Sequence, residues 1–173
     1  MNYAKIKHWD IANGEGIRIS LFVSGCKFHC KDCFNQEAWD FTYGTLFTQE
    51  TFDEIIKLVS DKNIDGLSLL GGDPLCQDDE GMLTLINLCK KVHGLGKNVW
   101  LWSGYTWEEI FSNSDMTQNA RLRRELIKEC DVFVDGRFEV KQKNLNLVWR
   151  GSSNQRVIDV KRSLDESKVV KYI

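Results

Sequence analysis

Residues 18–35 read Arg-Ile-Ser-Leu-Phe-Val-Ser-Gly-Cys-Lys-Phe-His-Cys-Lys-Asp-Cys-Phe-Asn. The first part, residues 18–24, is an apolar, β-favouring run that predicts a buried strand. It passes directly into a loop carrying Cys26, Cys30 and Cys33. Similar runs recur at 66–70, 98–103, 131–135 and 156–160. Stretches with helical spacing lie between the first four. Phe52, Ile55, Ile56 and Val59 fall on one helical face, with Thr51 and Glu54 spaced as a capping box at its start. Leu85, Leu88, Cys89 and Val92 repeat the spacing, and Gly94 with Gly96 offers a stop. Thr106 with Glu109 predicts a further short helix, and residues 121–130 another. Strand alternating with helix predicts an α/β fold with a mainly parallel sheet built from right-handed crossovers. No repeat, low-complexity tract or linker interrupts the pattern, so residues 1–173 are expected to form a single domain. In such sheets ligands gather beyond the carboxyl ends of the strands, where the cysteine loop begins.

Composition narrows the function classes. The chain has 173 residues, 42% apolar and 11% aromatic, with a single proline, which excludes disordered and collagen-like classes. A net charge of −2 gives no electrostatic case for a nucleic acid or an anionic membrane surface. No apolar run approaches the roughly 18 residues that would span a bilayer. The first ten residues lack the apolar core of a signal peptide, so a cytoplasmic location is expected. Six cysteines in such a compartment call for a role other than disulfides.

Cys26, Cys30 and Cys33 stand at i, i+4 and i+7, so their thiolates can converge on one metal centre. Thiolates favour zinc, copper(I) and iron–sulfur clusters. The spacing leaves two centres open. One is structural zinc, with Cys76 or a histidine as fourth ligand. The other is a 4Fe-4S cubane in which three cysteines leave one iron free to bind a substrate. His29 lies between ligands and is expected to point away. Cys76, Cys89 and Cys130 read as core or loop thiols, Cys89 on an apolar helical stripe. After the second run, Gly71-Gly72-Asp73-Pro74 forms a rigid polar turn in which glycines admit close backbone approach and a carboxylate suits an ammonium group.

The cysteine spacing resembles that of the radical S-adenosylmethionine (SAM) enzymes. The resemblance implies that Cys26, Cys30 and Cys33 hold a 4Fe-4S cluster and that the amine and carboxylate of SAM chelate its fourth iron. One electron then splits SAM into methionine and a 5′-deoxyadenosyl radical. It also implies that Gly71, Gly72, Asp73 and Pro74, in the place of a Gly-Gly-Glu motif, receive the amino group of SAM. Asp32, Phe34 and Asn35 would run beside the adenine, although Asp32 replaces the usual aromatic residue and offers no stack. Ser103, after the third run, is expected either to bond the ribose or carboxylate of SAM or merely to begin a turn, with Trp100 and Trp102 in the core or on the surface.

A closer resemblance, over residues 10–160, is to the activating proteins of anaerobic ribonucleoside-triphosphate reductase. It rests on Gly14-Glu15-Gly16-Ile17-Arg18, Cys33-Phe34-Asn35 with Glu37 and Trp39, and Gly71-Gly72-Asp73-Pro74-Leu75. Trp102-Ser103-Gly104-Tyr105-Thr106, Asp135-Gly136-Arg137-Phe138 and Arg150-Gly151-Ser152-Ser153-Asn154-Gln155-Arg156 continue it. It implies a partial (βα) barrel of the radical SAM type, and hydrogen abstraction from a glycine of the large reductase subunit. It also implies an electron donor such as reduced flavodoxin. Arg18, Arg137, Arg150 and Arg156 read either as a surface for the partner or for phosphate-like groups, or as a tail bonding back onto the barrel. Two other readings stand beside the activase: a short radical SAM enzyme acting on a small molecule, of the deazaguanine-synthase kind, and a non-enzymatic metal-binding module.

Overall fold

The computed structural model describes residues 1–111 and 114–173. Seven strands form one sheet in the order β3-β1-β2-β4-β5-β6-β7. They are β1 (Asn2–Asp10), β2 (Arg18–Val23), β3 (Thr45–Leu46), β4 (Gly66–Gly71), β5 (Asn98–Trp102), β6 (Val132–Asp135) and β7 (Arg156–Asp159). The centre, β2-β4-β5-β6, is parallel. Both flanks are antiparallel, β2 with β1 and β6 with β7. β3 and β7 are opposite edges and do not pair, so the sheet is open.

Alternation along the strands explains why the sheet is covered on both faces. Ile19, Leu21, Val23, Leu67, Leu69, Val99, Leu101, Phe133 and Ile158 point to one side and join the larger core. Helices α1 (Gln49–Val59), α2 (Asp79–Gly94) and α4 (Gln118–Lys128) bury their apolar stripes there. The short α3 (Trp107–Phe111) and α5 (Val160–Asp165) complete that layer. The other side carries a smaller core of Trp100, Val132, Val134 and Val157, roofed by Trp102 and Trp149. Trp100 is therefore a core residue, with its ring edge-on to Trp149 at 4.7 Å and to Tyr172 at 5.3 Å.

Each of the five anticipated strands exists, with ends shifted by a residue or two. Three elements were not anticipated. β1 mixes Lys5, Lys7 and His8 with apolar residues and is largely half-exposed, so its pattern is blurred. β3 has two residues and α5 six, too few for a periodicity. The cap of α1 is also corrected: Thr48, not Thr51, is the N-cap, and Thr51 is its reciprocal partner three residues on. Thr106 and Glu109 do bond reciprocally, as their spacing predicts. Among the described residues no helix is long and apolar enough to cross a membrane.

Candidate functional site

The carboxyl ends of the parallel strands meet around a cavity of about 550 Å³. β2 delivers the cysteine loop, β4 delivers Gly71, Gly72 and Asp73, β5 delivers Trp102, Ser103 and Gly104, and β6 delivers Gly136. Cys26, Cys30 and Cys33 all line it, as do Asp32 and Phe34. Asn35 and Pro74 do not: Asn35 starts a 3-10 turn at Gln36–Trp39, and Pro74 is buried within another at Pro74–Cys76. Phe34 is 91% exposed and Leu145 88%, so both stand at the cavity rim with apolar surface in water.

Backbone hydrogen bonds lace the cysteine loop to the glycine turn. Gly25 N donates to Ala38 O at 2.8 Å, Gly72 N to Val23 O at 2.7 Å and Asp73 N to Gly25 O at 2.8 Å. This explains the paired glycines in part differently from the sequence reading. A Cβ on Gly72 would come within 2.6 Å of the carbonyl oxygens of Ala38 and Gly25. Gly71 has φ +111° and would press a Cβ to 2.6 Å from Val23 O. The close approach these glycines allow is first of all between the two loops. The His29 ring packs against Trp39 with centroids 4.7 Å apart and planes tilted by 37°.

Asp73 organises the site from below. Its Oδ1 accepts from Leu75 N at 2.8 Å and caps the short turn, and its Oδ2 accepts from Gly104 N at 2.7 Å. The Ser103 hydroxyl lies 2.9 Å from both oxygens. Burial pushes the Asp73 carboxyl up to about 6, against the pull of these donors. Asp73 and Ser103 are thus committed mainly to each other and to fixing two strand ends. Any ammonium group would meet at most one remaining lone pair of the carboxylate, beside the backbone of Gly71 and Gly72.

The thiols differ in environment. Burial raises Cys30 above its ordinary value. Cys26 is buried, and the neighbouring Cys76 thiol lowers its pKa while that of Cys76 is raised. Among the described residues, the compact group of ligand-type atoms is Cys26, Asp73 and Cys76, all within 4.8 Å of one another. Cys26, Cys30 and Cys33 are not gathered that tightly. Tetrahedral zinc with Zn–S near 2.3 Å would need its thiolates about 3.8 Å apart. Three thiols that line the cavity at wider spacing, with Cys76 close to Cys26 but outside the lining, match the larger cubane better than a zinc tetrahedron.

Sequence reasoning missed much of the lining. Phe28, Trp39, Trp102, Phe138 and Trp149 give the cavity its aromatic walls, and residues 143–151 cross over it. The arginine-rich segment does bond back onto the sheet. Asn154 Nδ2 donates to Arg137 O at 2.8 Å, and Gln155 Nε2 to Gly136 O at 2.9 Å. Arg156 pairs with Asp135 and Glu108, Arg137 with Glu109, and Arg18 is fully buried. Arg150 alone of these four reaches the cavity, with its Nε buried and unpartnered. The signal that held these residues was the set of short motifs rather than any periodicity.

A family model described as "4Fe-4S single cluster domain" matches residues 12–158. An anaerobic ribonucleoside-triphosphate reductase-activating protein of Vibrio cholerae is 41% identical over 157 residues, covering 90% of this chain and 96% of the relative. The protein of the same name from Pasteurella multocida is 38% identical over 159 residues, 90% of this chain and 95% of its own. That of Enterobacteria phage T4 is 38% identical over 159 residues, with 91% and 93% covered.

Proposed function

Because the chain belongs to the family of anaerobic ribonucleoside-triphosphate reductase-activating proteins, we propose that it generates a glycyl radical on such a reductase. Its cofactors are one 4Fe-4S cluster and SAM. The observation that carries the reading is the placement of three cysteines along one wall of a cavity at the carboxyl ends of the parallel strands. Cys26, Cys30 and Cys33 would hold the cluster, leaving one iron for SAM. Bound there, the pair supplies the one-electron cleavage of SAM that starts hydrogen abstraction.

The chain's own residues bind, orient and exclude water. Asp73 fixes Ser103 and Gly104 at the cavity floor, and Gly71 and Gly72 offer bare backbone to the amino end of SAM. Asp32 and Phe34 would lie beside the adenine, with Trp39 and Phe138 as apolar walls. Asn35 and Pro74 act through the turns they hold. The open sheet suits a partial barrel whose free side admits a glycine-bearing segment of the large reductase subunit past Phe34 and Leu145. A reduced flavodoxin is the kind of donor the cluster requires, and the cytoplasm the compartment that supplies it. Residues 1–173 act as one domain. The names of the relatives favour the activase over the small-molecule and metal-module readings.

Electron paramagnetic resonance on the iron-reconstituted, reduced protein tests the proposal. A cubane signal that changes shape when SAM is added is expected, followed by a glycyl doublet when the reductase is supplied. Cys26→Ala, Cys30→Ala or Cys33→Ala should abolish SAM cleavage, and Cys89→Ala should retain it. Asp73→Ala should weaken SAM binding about tenfold, since it frees Ser103 and Gly104 from charged hydrogen bonds of about 1.5–3 kcal/mol each that fix the cavity floor, while cluster content falls less. A cubane indifferent to SAM would overturn the reading.

A further inference from the structure

Cys76 is a buried thiol that the proposed activity does not use. It closes the 3-10 turn at Pro74–Cys76, which Asp73 caps, and is 2% exposed. Its Sγ, the Cys26 Sγ and a carboxylate oxygen of Asp73 lie within 4.8 Å of one another. It is not in a disulfide. Cys26 faces the main cavity, but Cys76 does not line it. Cys76 lines instead a second, smaller hollow of about 280 Å³ with Lys27, Phe41 and Gln77. Cys76 therefore stands behind Cys26, on the side away from where SAM and the open iron belong.

That placement decides between three uses of the thiol. A fourth cluster ligand would have to reach the cavity, which Cys76 does not. A packing thiol would sit among apolar side chains, as Cys89 does in the helix-side core. Cys76 instead sits against a sulfur and a carboxylate. The Asp73 oxygens already accept from Leu75 N, Gly104 N and Ser103 Oγ, which leaves one carboxylate lone pair and the Cys26 sulfur as acceptors for the S–H group.

We infer that Cys76 is a positioning residue that donates a hydrogen bond from its thiol to the Cys26 sulfur and so raises the reduction potential of the cluster that Cys26 ligates. A donor on a coordinated thiolate draws electron density from the metal and favours the state with one more electron. The inference rests on the cluster assignment proposed above and adds a residue that sets how readily the cluster is reduced. Its sequence signal is weak, since Cys76 lies far along the chain from the cysteine loop and only the β2–β4 pairing brings the two together.

The test is a redox titration followed by electron paramagnetic resonance, on the full-length reconstituted protein and its Cys76→Ala, Cys76→Ser and Cys89→Ala variants, each with measured iron and sulfide content. All four are expected to assemble the cluster. The Cys76→Ala midpoint should shift to more negative potential, and Cys76→Ser should recover part of that shift because a hydroxyl still donates. Cys89→Ala should match the unmodified chain. An unchanged midpoint in Cys76→Ala would overturn the inference, and so would loss of the cluster in Cys76→Ala but not Cys89→Ala, which would make Cys76 a ligand. If the unmodified chain forms no cubane, the proposed function itself fails and takes the inference with it.

Discussion

Asp10 ends β1 with no exposed surface, and four donors converge on its carboxylate. Lys7 Nζ and Ala12 N donate at 2.9 Å, Asn13 Nδ2 at 2.6 Å and Ser20 Oγ at 2.7 Å. Burial alone would raise its pKa, but the bonds outweigh burial and hold it at about 2, against an ordinary 3.8. The charged form is therefore favoured by folding, so its contribution is complete above the unfolded value and disappears as pH falls through the folded one. At about 1.4 kcal/mol per unit, the contribution is about 2 kcal/mol. Asp10→Asn should be less stable by that amount at pH 7 in urea denaturation, with the gap closing between pH 4 and pH 2. A gap that persists at the acid end would mean lost packing rather than lost charge. The consequence reaches the site, because Ala12 and Asn13, which Asp10 fastens, line the cavity.

At the scale of elements, the helices are held by a buried stripe and a cap. α2 presents Leu85, Leu88, Cys89 and Val92 to the sheet with no exposed surface, as their spacing predicts. Leu88→Ala should cost 2–5 kcal/mol in chemical denaturation, the range of large-to-small changes in a packed core. In α1 the Thr48 hydroxyl accepts from Thr51 N at 3.4 Å, and Thr48→Ala should cost about 1 kcal/mol. Thr51→Ala should cost less, because the Thr48 hydroxyl can still accept from residue 51 N and only the bonds from the Thr51 hydroxyl are removed. Equal losses would restore Thr51 as the cap. The missed elements lacked a readable period: β1 has little apolar contrast, and β3 and α5 are too short to show one.

For the whole molecule, the segment 143–151 matters most. It has little regular structure, yet it crosses the cavity and brings Lys143, Leu145, Trp149 and Arg150 to it. The bond from Trp102 Nε1 to Trp149 O at 2.8 Å pins it to β5. SAM bound to the cluster-loaded protein should slow hydrogen exchange at 72–73, 102–104 and 143–151, and leave β2 and β4 as protected as before. Protection confined to the cysteine loop would place the ligand elsewhere. Replacing Trp149 by Ala should loosen this segment first, since its ring packs on Trp100 at 4.7 Å.

The sequence by itself determined the alternation of buried strand and helix, the five central and C-terminal strands, and the cysteine loop at the end of the first of them. Those features are local: period, cap and spacing are written within a few residues. The short motifs also carried the family likeness and named Cys26, Cys30, Cys33, Asp73 and Ser103. The open sheet with its antiparallel flanks came from tertiary contacts, as did the bonding of Asp73 to Ser103, Gly104 and Leu75. Only the tertiary structure put Cys76 behind Cys26 and residues 143–151 across the cavity. These are contacts between segments distant along the chain, made where strand ends meet. No period or spacing within one segment encodes which distant segment will stand beside it.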